Sequence, residues 1–194
     1  MRTEKVKVYK FQELKPKIQE KVFEDNRDIN TQFEWWDFLH ESFKEDLEQY
    51  GIECEGFNWD IYSGGYIAMY KPQVNTDKFL KKVLEDTYKK STLQARQMLA
   101  ILEDDNDEDD FELYIDTDTY GNYGNKNYVK TEGEMSENLK ELLEGIDLTE
   151  YLNNILEGFL KQLQTEYEYL MSDEAIQDTL IANEIEFLEN GKRW

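Results

Sequence analysis

Acidic side chains are the first candidates for chemistry in this chain. Residues 103–118 read EDDNDEDDFELYIDTD, and the stretch contains no Lys, Arg or His. Carboxylates packed this densely can hold a divalent cation, face a basic partner or simply be solvated by water. Asp104 and Asp107 have no neighbouring glycine turn and no surrounding hydrogen-bonding residues that would define a metal cage. The run therefore predicts loose cation binding at most, and no dedicated metal site.

A second pair of carboxylates, Asp116 and Asp118, is spaced like the start of a calcium-binding loop. Carboxylates at alternate positions of such a loop precede a glycine, which here is Gly121. The fifth position, however, is Tyr120, and the twelfth is Asn127, which cannot supply the bidentate carboxylate. A hairpin turn explains YGNYGN better. Two metals for nucleic-acid hydrolysis would need nearby Lys or Arg, so a metal-dependent enzyme is the least favoured alternative.

The chain has one histidine, His40, and one cysteine, Cys54. A zinc site or a Ser-His-Asp triad requires further ligands or a nucleophile motif, and neither accompanies His40. Cys54 has no cluster of Lys or His to lower its pKa. A glycine-rich phosphate loop is also missing from the sequence. We therefore expect no enzymatic activity, no catalytic residue and no cofactor.

The negative charge is distributed very unevenly along the 194 residues. Residues 1–96 contain 16 basic and 18 acidic side chains, a net charge of −2. Residues 97–191 contain 4 basic and 26 acidic side chains, a net charge of −22, and Lys192 with Arg193 returns +2. The acidic C-terminal half of the chain therefore repels phosphate backbones and attracts basic protein surfaces over about 8 Å at physiological salt. We expect it to bind a basic protein and not to bind nucleic acid directly.

The composition also predicts the compartment. No run of about 18 apolar residues is present, which argues against a transmembrane helix. The opening MRTEKVKVYKF lacks the apolar region of a secretory signal. A single cysteine excludes an internal disulfide and suits a reducing environment. We expect a cytoplasmic protein without membrane association.

Hydrophobic periodicity predicts an α+β fold with a small antiparallel sheet and several helices. Thr31 is a plausible N-cap for a helix over 33–50 with Phe33 on its inner face, and Gly191 is a plausible stop for the last helix. The predicted helices are 16–26, 33–50, 76–102 with a restart at Ser91, 136–145, 147–171 and 172–190; the predicted strands are 5–11, 52–62 with 66–70 as a hairpin, and 111–116 with 122–131. We expect an N-terminal α+β lobe over 1–102 with near-balanced charge and an acidic, largely helical lobe over 103–194, unless the two form one continuous domain.

The acidic half suggests an imitation of nucleic acid. Carboxylates four residues apart on a helix are separated by about 6 Å along its axis, which approaches the spacing of successive phosphates. Trp35 is a further candidate contact, because adjacent Trp35 and Trp36 point about 100° apart on a helix and cannot share one core pocket. The carboxylates expected to contact a partner are Glu103, Asp104, Asp105, Asp107, Glu108, Asp109, Asp110, Asp116, Asp118, Glu137, Glu141, Glu144, Glu184, Glu186 and Glu189.

Two segments resemble a group of small acidic proteins from phages and other mobile elements. Residues 7–14 match K-V-Y-x-F-x-E-L, and residues 33–38 match F-E-W-W-x-F. Residues 59–66, WDIYSGGY, are similar to the aromatic hairpin that follows in that group, but they lack its usual Gln-Gly-Asp-Gly turn. The resemblance covers roughly residues 5–70 and leaves the acidic half outside.

That group carries antitoxin-like labels, and the resemblance implies a phage counter-defence context. Together with the acidic half, it favours an inhibitor of the anti-CRISPR type that acts inside an infected bacterial host. Its carboxylates would occupy the basic nucleic-acid channel of an RNA-guided CRISPR nuclease, and aromatic residues would add contact area. The alternative is an antitoxin-like or regulatory protein that binds another basic partner.

Overall fold

A computed structural model describes residues 5–62, 65–88, 100, 111–119 and 125–194, with only the main chain at 118, 119 and 125. Two compact units are present. Met1–Asp37 and Leu163–Trp194 form one, here called the split unit, and Phe38–Gln162 forms the other, here called the continuous unit. These boundaries differ from the expected division between residues 102 and 103. The last part of the acidic half therefore folds with the N-terminal segment.

The fold class predicted from the sequence, α+β, is confirmed. In the described part of the chain the helices are α1 Pro16–Asp25, α2 Asp37–Gln49, α3 Thr76–Tyr88, α4 Glu137–Leu142, α5 Leu148–Leu170 and α6 Asp173–Ala182; the strands are β1 Tyr9–Lys10, β2 Ile52–Glu53, β3 Gly56–Asp60, β4 Tyr66–Tyr70, β5 Gln73–Val74, β6 Glu112–Thr119, β7 Asn125–Glu132 and β8 Glu186–Phe187. The strand pairs β1–β8, β2–β5, β3–β4 and β6–β7 are antiparallel. Among the helices described, none combines the length and apolar composition needed to cross a bilayer.

The split unit is organised around the pairing of β1 with β8, in which Tyr9 lies opposite Phe187. Pro16 at the start of α1 suits a helix N-terminus, and Val22 of α1 is fully buried. Gly191 adopts φ +83°, and its missing side chain lets the C-terminal turn approach α1 closely. The buried core of this unit consists of Phe11, Leu14, Val22, Ile176, Leu180 and Phe187.

The predicted helix over 172–190 is too long. Ser172 caps α6 as expected, because its hydroxyl accepts a hydrogen bond from the Ala175 backbone N–H at 3.2 Å. The helix nevertheless ends at Ala182, and Glu184 adopts φ +50°. The next residues form β8, which buries Phe187 completely. Long-range strand pairing with β1 therefore overrides the local helical pattern.

The predicted start of the second helix is also wrong. Residues 26–36 form a series of turns, and α2 begins at Asp37. Phe33, expected on the inner face of a helix, is 77% exposed. The turns are held by side-chain hydrogen bonds to distant backbone, described below, and a helix over these residues would break those bonds.

The continuous unit contains both predicted hairpins. In β3–β4, Trp59 lies opposite Ile67, and in β6–β7, Ile115 lies opposite Val129. The ring of buried Phe43 on α2 stacks on Phe159 of α5 at a centroid distance of 4.2 Å. The fully buried side chains of this unit include Phe43, Leu47, Ile52, Phe79, Val83, Leu152 and Leu156.

A buried asparagine links the two hairpins. The Asn127 side chain on β7 is 1% exposed. Its Oδ1 accepts a hydrogen bond from the Met69 backbone N–H at 3.1 Å, and its Nδ2 donates to the Ile67 carbonyl at 3.0 Å. The carboxamide thus behaves like a peptide group toward β4.

Candidate protein-interaction surface

The acidic segment, defined as residues 132–157 of the continuous unit, is a run of exposed carboxylates that the structure describes in full. All eight of its acidic side chains are exposed, and Lys140 is its one basic residue, so its net charge is −7. The eight residues are Glu132, Glu134, Glu137, Glu141, Glu144, Asp147, Glu150 and Glu157. They extend from the end of β7 through α4 to the first half of α5.

Helix α4 positions two of the predicted contacts. Ser136 caps the helix by accepting a hydrogen bond from the Leu139 backbone N–H at 3.2 Å. Glu137 and Glu141 follow at a spacing of four residues, which places them on one side of the helix. Lys140 reaches Glu137 at 2.6 Å, and this hydrogen bond raises the pKa of the lysine. Glu141 makes no ion pair with the residues described, so its charge faces solvent.

Helix α4 is shorter than the predicted helix over 136–145. It ends at Leu142, so Glu144 lies in the following turn and not on the helix. Gly145, at φ +79°, continues that turn. Asp147 then caps α5, because its Oδ1 accepts a hydrogen bond from the Glu150 backbone N–H at 2.9 Å. One carboxylate of the acidic segment therefore has a clear structural role, and Glu144 is presented by a turn.

Asp116 and Asp118 lie on strand β6 with lysines opposite or diagonal to them. The register places Asp118 opposite Lys126. The Asp116 carboxylate forms an ion pair with Lys130, and this hydrogen bond holds the pKa of Asp116 below its usual value. The extended backbone through both positions is that of a hairpin strand and not of a calcium-binding loop. Over the described ranges, no three His, Cys, Asp or Glu side chains are grouped to hold a metal ion.

Glu184, Glu186 and Glu189 do not form the predicted helical array. All three follow the end of α6. Glu186 on β8 lies 3.6 Å from the Lys10 ammonium, and Glu184 lies 4.0 Å from it. They belong to the split unit, whereas Glu137, Glu141 and Glu144 belong to the continuous unit.

The remaining predicted carboxylates lie outside the described residues. These are Glu103, Asp104, Asp105, Asp107, Glu108, Asp109 and Asp110. Their contact with a partner stays a prediction from the sequence.

Trp35 is half-buried and packs within the split unit. Its ring centroid lies 5.7 Å from that of Trp36, in an edge-to-face arrangement, and 5.7 Å from that of Tyr167 on α5. Phe33, two residues earlier, exposes far more of its ring. Phe33 is therefore an exposed aromatic side chain that the helical pattern assigned to the core.

His40 and Cys54 occupy packed positions in the continuous unit. The His40 ring lies 5.2 Å from the ring of Phe57 and 6.2 Å from that of Trp59. Cys54 is half-buried, and the desolvation raises the pKa of its thiol. A raised pKa reduces the thiolate fraction at neutral pH, which disfavours nucleophilic chemistry.

Comparison with known proteins adds no assignment. The chain matches no protein-family profile, no curated protein and no solved structure. Any statement about function therefore depends on the charges and contacts described above.

Proposed function

We propose that this protein inhibits a host defence nuclease, in the manner of an anti-CRISPR protein, by occupying a basic nucleic-acid channel. The observation that supports the proposal is the acidic segment, which exposes eight carboxylates with a single lysine among them. The continuous unit as a whole contains 12 basic and 28 acidic residues, so it carries −16 of the net −22. A channel that binds nucleic acid is lined with Lys and Arg and is the natural complement of such a charge.

Repulsion between these negative charges destabilises the free protein, which also supports a role in binding. At the open end of the β6–β7 hairpin, exposed Glu112 lies directly opposite exposed Glu132. Like charges at opposed cross-strand positions destabilise a sheet. A cationic partner would relieve that repulsion, whereas solubility alone would not require the two glutamates to face each other.

The proposed mechanism is occlusion without chemistry. Carboxylates of the acidic segment, together with those of residues 103–110, take the place of phosphates along the channel. No product forms and no cofactor takes part. Because such contacts are screened by salt, binding should weaken steeply as ionic strength rises.

The second candidate is an antitoxin-like or regulatory protein that neutralises a different basic partner. The same acidic segment supports it, because a carboxylate surface does not distinguish a nuclease channel from another cationic surface. The identity of the captured protein separates the two: a toxin partner should be small and encoded next to this chain, whereas a nuclease binds guide RNA.

The test compares two charge-neutralised variants of the full chain. The first, in the acidic segment, is E134Q/E137Q/E141Q/E144Q. The matched control removes four exposed charges from the split unit, as E20Q/E168Q/E174Q/D178N. Each is used to capture protein from host lysate and to inhibit DNA cleavage by a panel of RNA-guided nucleases.

The first variant should lose about tenfold in affinity at physiological salt, the scale expected for four exposed ion pairs. The control should bind and inhibit like the unmodified chain. Equal behaviour of both variants, or an affinity that does not change between 50 and 300 mM salt, would contradict the proposal.

A further inference from the structure

The segment of residues 28–37, here called the aromatic turn, exposes a phenylalanine side chain to solvent. Phe33 is 77% exposed. A single exposed apolar side chain needs no explanation by itself. This one stands out because the backbone that presents it is held firmly and because its neighbours in the turn carry one sign of charge.

Hydrogen bonds from both sides hold the aromatic turn to the rest of the split unit. Asn30 donates to the Leu170 carbonyl at 3.0 Å and accepts from the Thr179 hydroxyl at 2.6 Å. Within the turn, the Trp35 backbone N–H donates to the Phe33 carbonyl at 2.8 Å. The packing of Trp35 on Tyr167 adds a further point of attachment. The backbone that carries Phe33 therefore has little conformational freedom to lose on binding.

Immediately before the turn, Arg27 ties the same backbone to the start of α6. Its guanidinium donates to the Met171 carbonyl at 3.0 Å and to the Asp173 carboxylate at 2.6 Å. The hydrogen bonds to Asp173 and Glu24 raise the pKa of Arg27. Arg27 is thus committed to the fold, whereas exposed Lys192 and Arg193 line a recess with Asp28, Ile29 and Gln32 at the start of the turn.

The aromatic turn itself is purely acidic. Asp28, Glu34 and Asp37 are all exposed, and no Lys or Arg occurs in the sequence between Arg27 and Lys44. The Asp37 backbone N–H donates to the Glu34 carbonyl at 3.3 Å, so both residues belong to one turn that directly follows Phe33. An exposed ring among carboxylates is complementary to a cation that is also planar and weakly hydrated.

We propose that the aromatic turn binds an arginine side chain of the basic partner. A guanidinium stacks on an aromatic face and pairs with a carboxylate at the same time, whereas the ammonium of lysine is compact and strongly hydrated. The inference depends on the proposed function only in that the partner is basic. It assigns Phe33 as the stacking residue and Glu34 and Asp37 as the charge-pairing residues.

The probe is a nine-residue arginine-rich peptide, compared with the same peptide in which every arginine is lysine. Binding to the full chain is measured by calorimetry. Phe33→Ala removes the ring, Phe33→Tyr keeps it, and E34Q/D37N removes the two charges. Trp194→Ala is the matched control, because Trp194 is 68% exposed in the same unit but follows Lys192 and Arg193.

The unmodified chain should bind the arginine peptide about three- to fivefold more tightly than the lysine peptide, the scale of an exposed cation–π contact. Phe33→Ala and E34Q/D37N should abolish that preference, whereas Phe33→Tyr and Trp194→Ala should keep it. Equal affinity of the unmodified chain for both peptides overturns the proposal, as does a preference that survives Phe33→Ala.

Two further measurements separate this proposal from its alternatives. The variant E134Q/E137Q/E141Q/E144Q should weaken binding of both peptides equally and keep the arginine preference. If it weakens neither, the acidic segment fails as an interaction site while the aromatic turn stands. Sedimentation of the chain alone should be unchanged by Phe33→Ala, and a shift would assign Phe33 to self-association and overturn the arginine site.

Discussion

Asn127→Ala should destabilise the continuous unit severely, although the residue is polar and uncharged. The substitution removes both hydrogen bonds to β4 and leaves the Met69 N–H and the Ile67 carbonyl without their partner. Both of these residues are at most 5% exposed. An unsatisfied buried polar group costs about 1–3 kcal/mol. Two such groups, partly rehydrated, should lower the free energy of unfolding by about 2–4 kcal/mol.

Urea unfolding followed by circular dichroism measures this loss. Asn154→Ala is the control, because Asn154 is an exposed asparagine of α5 in the same unit and should change the free energy of unfolding by less than about 0.5 kcal/mol. A loss for Asn127→Ala as small as that of the control would refute the account of Asn127 as a bridge between hairpins.

Asn127→Asp tests the direction of each hydrogen bond. The new carboxylate can still accept from the Met69 N–H, but its second oxygen faces the Ile67 carbonyl. Burial beside a carbonyl should raise the pKa of this carboxyl in the folded state above its unfolded value of about 3.9. The destabilisation relative to the unmodified chain is therefore complete at pH 7 and shrinks as pH falls toward about 4, where the carboxyl is protonated and donates. A destabilisation that does not change with pH would contradict this hydrogen-bond assignment.

Three other predictions concern single positions. Gly145→Ala should lower the free energy of unfolding by about 1 kcal/mol, because the backbone is left-handed there but the surrounding space is open. Gly191→Ala should lower it by about 2 kcal/mol or more, because a Cβ at Gly191 would lie 3.0–3.1 Å from side chains of α1. Equal losses in urea unfolding would exclude the steric contribution at Gly191. Ser172→Ala removes the cap of α6 and should lower the free energy of unfolding by about 1 kcal/mol, and an unchanged denaturation midpoint would show that the cap is dispensable. Lys130→Gln should raise the pKa of Asp116 toward its ordinary value, as followed by carboxyl ¹³C NMR, and an unchanged titration would dissociate that pKa from the ion pair.

Local sequence signals predicted the hairpins and most helices well. Glycine turns and alternating apolar residues located β3–β4 and β6–β7, and the serine caps placed the starts of α4 and α6 to within a residue. The two largest errors, in the helices predicted over 33–50 and 172–190, occur where distant parts of the chain meet. A run of helix-forming residues after α6 becomes a strand because β1 offers it a partner, and such a partner is invisible in a local window.

The candidate site was predictable to different degrees. The high acidity of the segment around Glu137 and Glu141 is apparent from composition, and the structure adds that every carboxylate there is exposed. The pairing of Asp116 with Lys130 depends on strand register, which the sequence pattern left open. Phe33 was missed because helical spacing assigned it to the core, whereas the long-range hydrogen bonds of Asn30 and Arg27 hold its segment in turns.

The construction of the split unit has a consequence for biosynthesis. Strand β1 emerges from the ribosome early, but its partner β8 is translated about 175 residues later, which takes about 10–35 s at typical elongation rates. The continuous unit has no such delay, because Phe38–Gln162 is one uninterrupted stretch. We therefore expect the described residues of the continuous unit to gain protease resistance first, while the lysine-rich N-terminal residues stay accessible to chaperones until the last strand is translated.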